Sequence, residues 1–202
     1  VQRDKNHPSV VMWSCGNESY GGTTILAVAE YFRAVDDRPV HYESVSWDKR
    51  YPQTTDVVSE MYTPAAEIEA FLAEHRAKPF ILCEYAHDMG NSFGAVGKYL
   101  DLAYREPLLQ GMFVWDFADQ AVQLTDRHGR RFFGYGGDFG DKPNDSNFAF
   151  NGVFRGDRTP NPHYYEVVKC YQQVDFSLSH GRIAILNRFM FTSLENFKLR
   201  LE

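Results

Sequence analysis

The chain has 202 residues, 44% of them hydrophobic, 15% aromatic and 24% charged, a composition that excludes the disordered and fibrous classes and supplies material for a core. Its 21 Lys and Arg stand against 27 Asp and Glu, a formal net charge of -6, and no basic stripe is present, so neither nucleic acid nor an anionic membrane is an expected partner. Cys15, Cys83 and Cys170 form no C-x-x-C pair, which excludes a zinc or redox motif of that kind and suits free thiols in a reducing compartment such as the cytoplasm.

In chain order, Val10 to Cys15 is a short apolar run that reads as a buried strand and stops at Gly16-Asn17-Glu18. Apolar residues from Thr24 to Val35 recur at helical spacing, with Thr23 or Thr24 as N-cap and Asp36 to Pro39 as the stop. Val40 to Glu43 and Asp56 to Tyr62 read as strands, and Pro64 at the first helical position opens a helix carrying Ala65, Ile68, Phe71 and Leu72. Pro79 to Tyr85 is strand-like, Ala95 to Tyr104 helical and Gly111 to Asp116 strand-like again. Repeated βα units predict an α/β fold with a parallel sheet. The stretch from Phe133 to Asn151 is rich in Gly, Asp and Asn without period, a long loop of the kind that carries function. Beyond it, Asp175 to Ser179 and Arg182 to Leu186 predict a hairpin around His180-Gly181, with Phe189 to Phe191 extending its second strand. No apolar run approaches the ~20 residues of a membrane-spanning helix.

Glu18, Glu84 and Asp116 lie at or near the carboxyl ends of predicted strands, the side on which parallel α/β sheets bind ligands. A carboxylate beside a buried strand loses solvation unless it is paired or used. Structural pairing and catalysis stand about level on the residues alone. Two converging carboxyls suit glycoside hydrolysis, one protonating the departing oxygen and the other attacking the anomeric carbon or activating water. Metal chemistry has less support: Glu84-x-x-His87 is a single copy after a strand, no H-E-x-x-H exists, and Pro143 breaks the Asp141 loop as a calcium site. Trp13, Tyr62, Tyr85, Trp115 and Phe148 cluster near the strand ends as candidate sugar-stacking rings. Trp13 reads as core and Trp115 as part of the site.

Four segments, Asn6 to Val10, Trp13 to Ser19, Ile81 to Ser92 and Tyr135 to Asp141, together resemble the bacterial β-galactosidases of glycoside hydrolase family 2. The resemblance implies the C-terminal part, strands 4 to 8, of a (β/α)8 TIM barrel over residues 1–172, followed over 173–202 by the beginning of an antiparallel β-sandwich domain. It implies a retaining hydrolase of terminal β-galactosides, with Glu18 as acid/base and Glu84 as nucleophile. Asn17 would bond the sugar 2-hydroxyl, Tyr62 would sit by the nucleophile, His87 would contact sugar hydroxyls and Trp115 would form the apolar wall. Glu18 would ligate magnesium, and the Phe148 carbonyl with Asn151 would form part of a sodium site, both incomplete in this chain. Val153 stands where β-glucuronidases carry a carboxylate-pairing lysine, which favours a neutral sugar.

Five strands cannot close an eight-stranded barrel without leaving open edges. The chain, which opens on Val1 without a methionine or a signal-peptide core, is therefore expected to be a piece of a longer enzyme and inactive alone. The expected partners are a β-galactoside substrate, the remainder of the enzyme chain or a complementing subunit, and further copies in a homo-oligomer.

Overall fold

The computed structural model describes residues 1–200. The predicted apolar runs form β1 (Trp13–Ser14), β2 (Val40–His41), β3 (Val58–Met61), β4 (Phe80–Tyr85) and β5 (Leu109–Val114). Between them lie α1 (Thr23–Val35), α2 (Ala65–Glu74) and α3 (Val96–Arg105), while β2 reaches β3 through two short 3-10 turns, Glu43–Ser46 and Pro52–Thr54. β1 pairs with β2, and β4 lies between β3 and β5; every one of these pairings is parallel. A parallel α/β arrangement puts all the carboxyl ends on one side, which is what places the site.

β2 and β3 share no ladder, and side chains join them instead. The Asp56 carboxylate accepts the Val40 N–H at 2.7 Å while the Asp56 N–H donates to the Val40 carbonyl at 2.8 Å. The buried His41 ring bridges Ser14 Oγ (2.8 Å) on β1 and Ser59 Oγ (2.7 Å) on β3. Burial lowers its pKa, holding it neutral, so one ring nitrogen donates and the other accepts.

The core forms where α2 and α3 cover β4 and β5. Ile68 and Leu72 meet Phe80, Leu82 and Tyr85, with Val96, Leu102 and Leu109 completing the cluster. Each such side chain contributes roughly 1.5–3 kcal/mol by leaving water. Phe80, Ile81 and Leu82 are consecutive and all buried, as expected of a strand covered on both faces. Trp13 is core, as its sequence position indicated, with Arg38 stacked 5.4 Å from its ring centre.

Several boundaries differ from the sequence reading. β1 is shorter than Val10 to Cys15, because the Val10 N–H closes a turn onto the His7 carbonyl at 3.1 Å and Val11 faces solvent. Gly22, not a threonine, holds the N-cap of α1, and Pro64 sits one position before α2. Glu43 belongs to a 3-10 turn rather than a strand. Unforeseen elements are the antiparallel pair β6 (Val122–Thr125) and β7 (Arg131–Gly134) and the short helix α4 (Tyr164–Cys170). The hairpin is present as β8 (Val174–Ser179) and β9 (Arg182–Asn187), turning at His180 and Gly181 with φ of 49° and 73°. Phe189 to Phe191 do not extend it. The Asn187 side chain accepts the Phe189 N–H at 3.0 Å and donates to the Thr192 carbonyl at 2.9 Å, so the chain bends away. Among the described residues no helix is long and apolar enough to cross a membrane.

Candidate active site

Glu84 is the penultimate residue of β4 and the point on which its neighbours converge. Asn17 Nδ2 donates to its Oε1 at 3.0 Å and the Tyr62 hydroxyl to its Oε2 at 2.7 Å. Asn17 comes from the turn after β1 and Tyr62 from the residue after β3, so two loops meet on one carboxylate at the end of β4. The Tyr62 N–H also donates to the Glu84 carbonyl at 3.0 Å. Burial, the hydrogen bond to Glu84 and the negative charges of Glu84 and Glu18 push the Tyr62 hydroxyl well above the usual phenol range, so it remains a donor. Two donors on one carboxylate hold its orientation.

Glu18 is solvent-exposed beside this cluster and acts on Tyr62 through its charge. Its backbone is fixed by Glu43, which the sequence reading treated only as a strand end: Glu43 Oε2 accepts the Glu18 N–H at 3.2 Å and the Ser44 hydroxyl at 3.0 Å. Its other oxygen accepts Ser46 Oγ and Trp47 Nε1, both at 3.3 Å. A carboxylate two residues past the end of β2 was the signal available for it. Glu18, Tyr62 and Ala86 have φ of 47°, 58° and 50°, left-handed values that each cost a non-glycine residue about 1–3 kcal/mol and that cluster at ligand sites.

The His87 ring lies between Tyr62 and Phe148, with centroids 5.8 Å and 5.6 Å away. Trp115 immediately follows β5, its carbonyl accepting the Asp88 N–H at 2.7 Å. The Asp116 N–H donates to the Asn151 carbonyl at 2.6 Å, which brings Asn151 to the same end of the sheet. The Asp116 carboxylate is engaged locally, by Ala118 N–H at 2.8 Å and Gln120 Nε2 at 2.6 Å; the third acidic strand end therefore has the structural explanation. Asn151 Nδ2 and the Phe148 carbonyl are 3.2 Å apart, and Asn151 Oδ1 is buried without a hydrogen-bond partner. The orphaned amide oxygen is a neutral, hard donor of the type that suits a monovalent cation, whereas the Phe148 carbonyl is already the acceptor of the Asn151 amide N–H. Among the described residues no group of three His, Cys, Asp or Glu side chains converges as a metal shell.

Two further buried residues escaped the sequence reading, Asp88 and His163. Asp88 Oδ2 and His163 Nε2 are 2.6 Å apart. Asp88 directly follows His87, but nothing local distinguishes His163.

Residues 1–176 match the family described as Glycosyl hydrolases family 2, TIM barrel domain. The chain belongs to this family. It is 45% identical to a β-galactosidase of Halalkalibacterium halodurans over 199 residues, covering 98% of this chain and 20% of that protein. It is 44% identical to a β-galactosidase of Priestia megaterium, covering 97% of this chain and 19% of that one. The chain thus spans about a fifth of the length of these curated relatives. A solved family 2 glycosyl hydrolase from Bacteroides cellulosilyticus superposes with a TM-score of 0.57 at 18% identity, over 84% of this chain and 20% of the other, a likeness of fold.

Proposed function

We propose that this chain is the catalytic portion of a retaining β-galactosidase, with residues 1–172 supplying strands 4 to 8 of a TIM barrel and residues 173–202 opening a β-sandwich domain. The observation that carries the reading is the double hydrogen bonding of the Glu84 carboxylate by Asn17 and Tyr62 at a strand end, with Glu18 adjacent in sequence to Asn17. The 40–45% identity to proteins named β-galactosidase supports the sugar. Val153 is buried and apolar, with no charge to pair a uronic acid.

In this mechanism Glu84 attacks the anomeric carbon as a carboxylate, and the bond to the departing oxygen breaks as Glu18 gives that oxygen its proton. Glu18, now a carboxylate, takes a proton from water as that water attacks the same carbon and releases Glu84. Tyr62 and Asn17 keep Glu84 oriented, and Asn17 is close enough to the nucleophile to serve the 2-hydroxyl. His87 contacts sugar hydroxyls and Trp115 walls the apolar face. Glu18 would contribute to a magnesium site and Phe148 O with Asn151 to a sodium site, each completed by ligands from the rest of the protein; the bound cations would add positive charge beside the acid and the sugar. The expected setting is the cytoplasm, in a homo-oligomer of the longer chain.

The test is mechanism-based labelling of the complete protein with a 2-deoxy-2-fluoro-galactosyl fluoride. Peptide mapping should place the sugar on Glu84, and Glu84→Gln should give no adduct. Glu18→Ala should spare aryl galactosides with good leaving groups while losing lactose hydrolysis. A label on another residue, or equal loss on both substrates, contradicts these roles.

A further inference from the structure

We propose that the close side-chain contact between buried Asp88 and partly buried His163 positions His87, Trp115 and Asn151, by tying the turn after β4 to the segment 151–163. The inference rests on the proposed function for what those three residues do. Asp88 Oδ2 and His163 Nε2 approach to 2.6 Å, with the Asp88 side chain 0% and the His163 side chain 15% exposed. The His163 ring nitrogen is hydrogen-bonded to the Gly152 carbonyl and neither Asp88 oxygen has a hydrogen-bond partner, so the approach is a close polar contact between the two side chains.

Each partner is wired to a different part of the sugar end. Asp88 directly follows His87, and its N–H holds the Trp115 carbonyl at 2.7 Å. His163 Nε2 also lies 3.1 Å from the Gly152 carbonyl, which accepts Asn161 Nδ2 at 2.8 Å, and Gly152 directly follows Asn151. The Gly152 N–H in turn donates to Asp119 Oδ1 at 2.9 Å. The pair is therefore a side-chain bridge between loops that hold the three residues through their backbones.

Its surroundings make the bridge hard to dispense with. Both residues line a cavity of about 530 Å³ that also receives Asp119, Arg155 and the ring of Phe93, 5.3 Å from His163. A buried carboxylate without a partner would be costly. Burial, followed by the charges of Asp119 and Asp116, pushes Asp88 up to about 7.

The experiment uses the complete protein, an aryl β-galactoside and five variants. Loss of one buried polar partner corresponds to roughly tenfold, so Asp88→Ala and His163→Ala should each raise KM about tenfold and change kcat less than about threefold. Their combination should be no worse than either alone, since both remove one interaction. Asp88→Asn, which retains a hydrogen-bonding group, should restore KM to within about threefold of the parent. His163→Phe keeps a ring but removes the polar contact, and should reproduce the KM rise even if alanine variants fail to fold. An unchanged KM, or a loss confined to kcat, overturns the inference. Should the parent protein not hydrolyse galactosides, the proposed function fails while crystal structures of the same variants still decide the pair: displaced His87, Trp115 and Asn151 support it, and unmoved ones overturn it.

Discussion

Glu84 owes its chemistry to two neighbours that do different work. Asn17 contributes an amide donor that never ionises, whereas Tyr62 contributes a hydroxyl whose proton is held by burial and by the carboxylates around it. Tyr62→Phe keeps the ring against His87 and deletes only the bond to Glu84. A hydrogen bond to a charged group is worth about 1.5–3 kcal/mol, so kcat of the complete protein should fall roughly 10- to 100-fold on an activated galactoside with little change in folding temperature. A variant within twofold of the parent would remove Tyr62 from the mechanism. Glu18 and Glu84 stand out in the sequence as candidates because acidic residues at or near the ends of apolar strands are conspicuous, and the structure places Asn17 and Tyr62 on Glu84 with Glu18 nearby. Asp116 was equally conspicuous, yet its carboxylate closes its own turn. The Asp88–His163 contact was illegible because 75 positions separate its members and no local pattern announces a pairing of that span.

Strands and helices were legible wherever periodicity and burial agree, as in α1, β4 and the β8–β9 hairpin. They were obscured where side chains substitute for backbone pairing: β2 has two residues and meets β3 through Asp56 and His41, which no alternation predicts. The segment after the long loop is held by close approach rather than by regular structure. A Cβ on Gly152 would stand 2.1 Å from the Asp119 nitrogen and 2.3 Å from the Ala118 carbonyl carbon. Both contacts are backbone, so Gly152→Ala should destabilise the protein by about 2–3 kcal/mol, visible as a lower urea midpoint; an unchanged midpoint would mean that the two loops separate freely. The same loops carry a pH signature. Because Asp88 is raised from 3.8 to about 7 in the fold, the folded state binds more protons than the unfolded one across that window, and stability falls as pH rises through it. Asp88→Asn cannot ionise and should therefore gain stability relative to the parent from the acid end of the window to the neutral end. A parent-to-variant difference in urea midpoints that stays constant across the window would show that Asp88 does not hold its proton in the fold.

At the scale of the whole molecule, the described parallel strands form two sheets, β1–β2 and β3–β4–β5, joined through the side chains of Asp56 and His41. Among the described residues β1 pairs only with β2, and β5 only with β4, so each has one side of its backbone without a ladder. Apolar side chains accompany those edges: Val11 is 71%, Phe113 60% and Phe117 70% exposed. Unpaired strand edges flanked by exposed apolar groups template association with other chains. Closed barrels of this class use eight strands, and the curated relatives are about five times the length of this chain, so under the proposed function the occupant of both edges would be further barrel. Expressed alone, the 202-residue chain should self-associate, giving a broad, concentration-dependent distribution in sedimentation velocity. It should also show negligible galactoside hydrolysis, because the edge strands β1 and β5 lead directly into Asn17, Glu18 and Trp115, and correct placement of reacting groups supplies a large share of an enzymatic rate. Supplying the missing strands in trans should narrow the distribution and raise activity together, since one event covers the edges and steadies the residues that follow them. Hydrolysis by a monodisperse monomer would mean that the bonds from Asn17 and Tyr62 to Glu84, with the Glu43 anchor on Glu18, hold the site without a closed barrel.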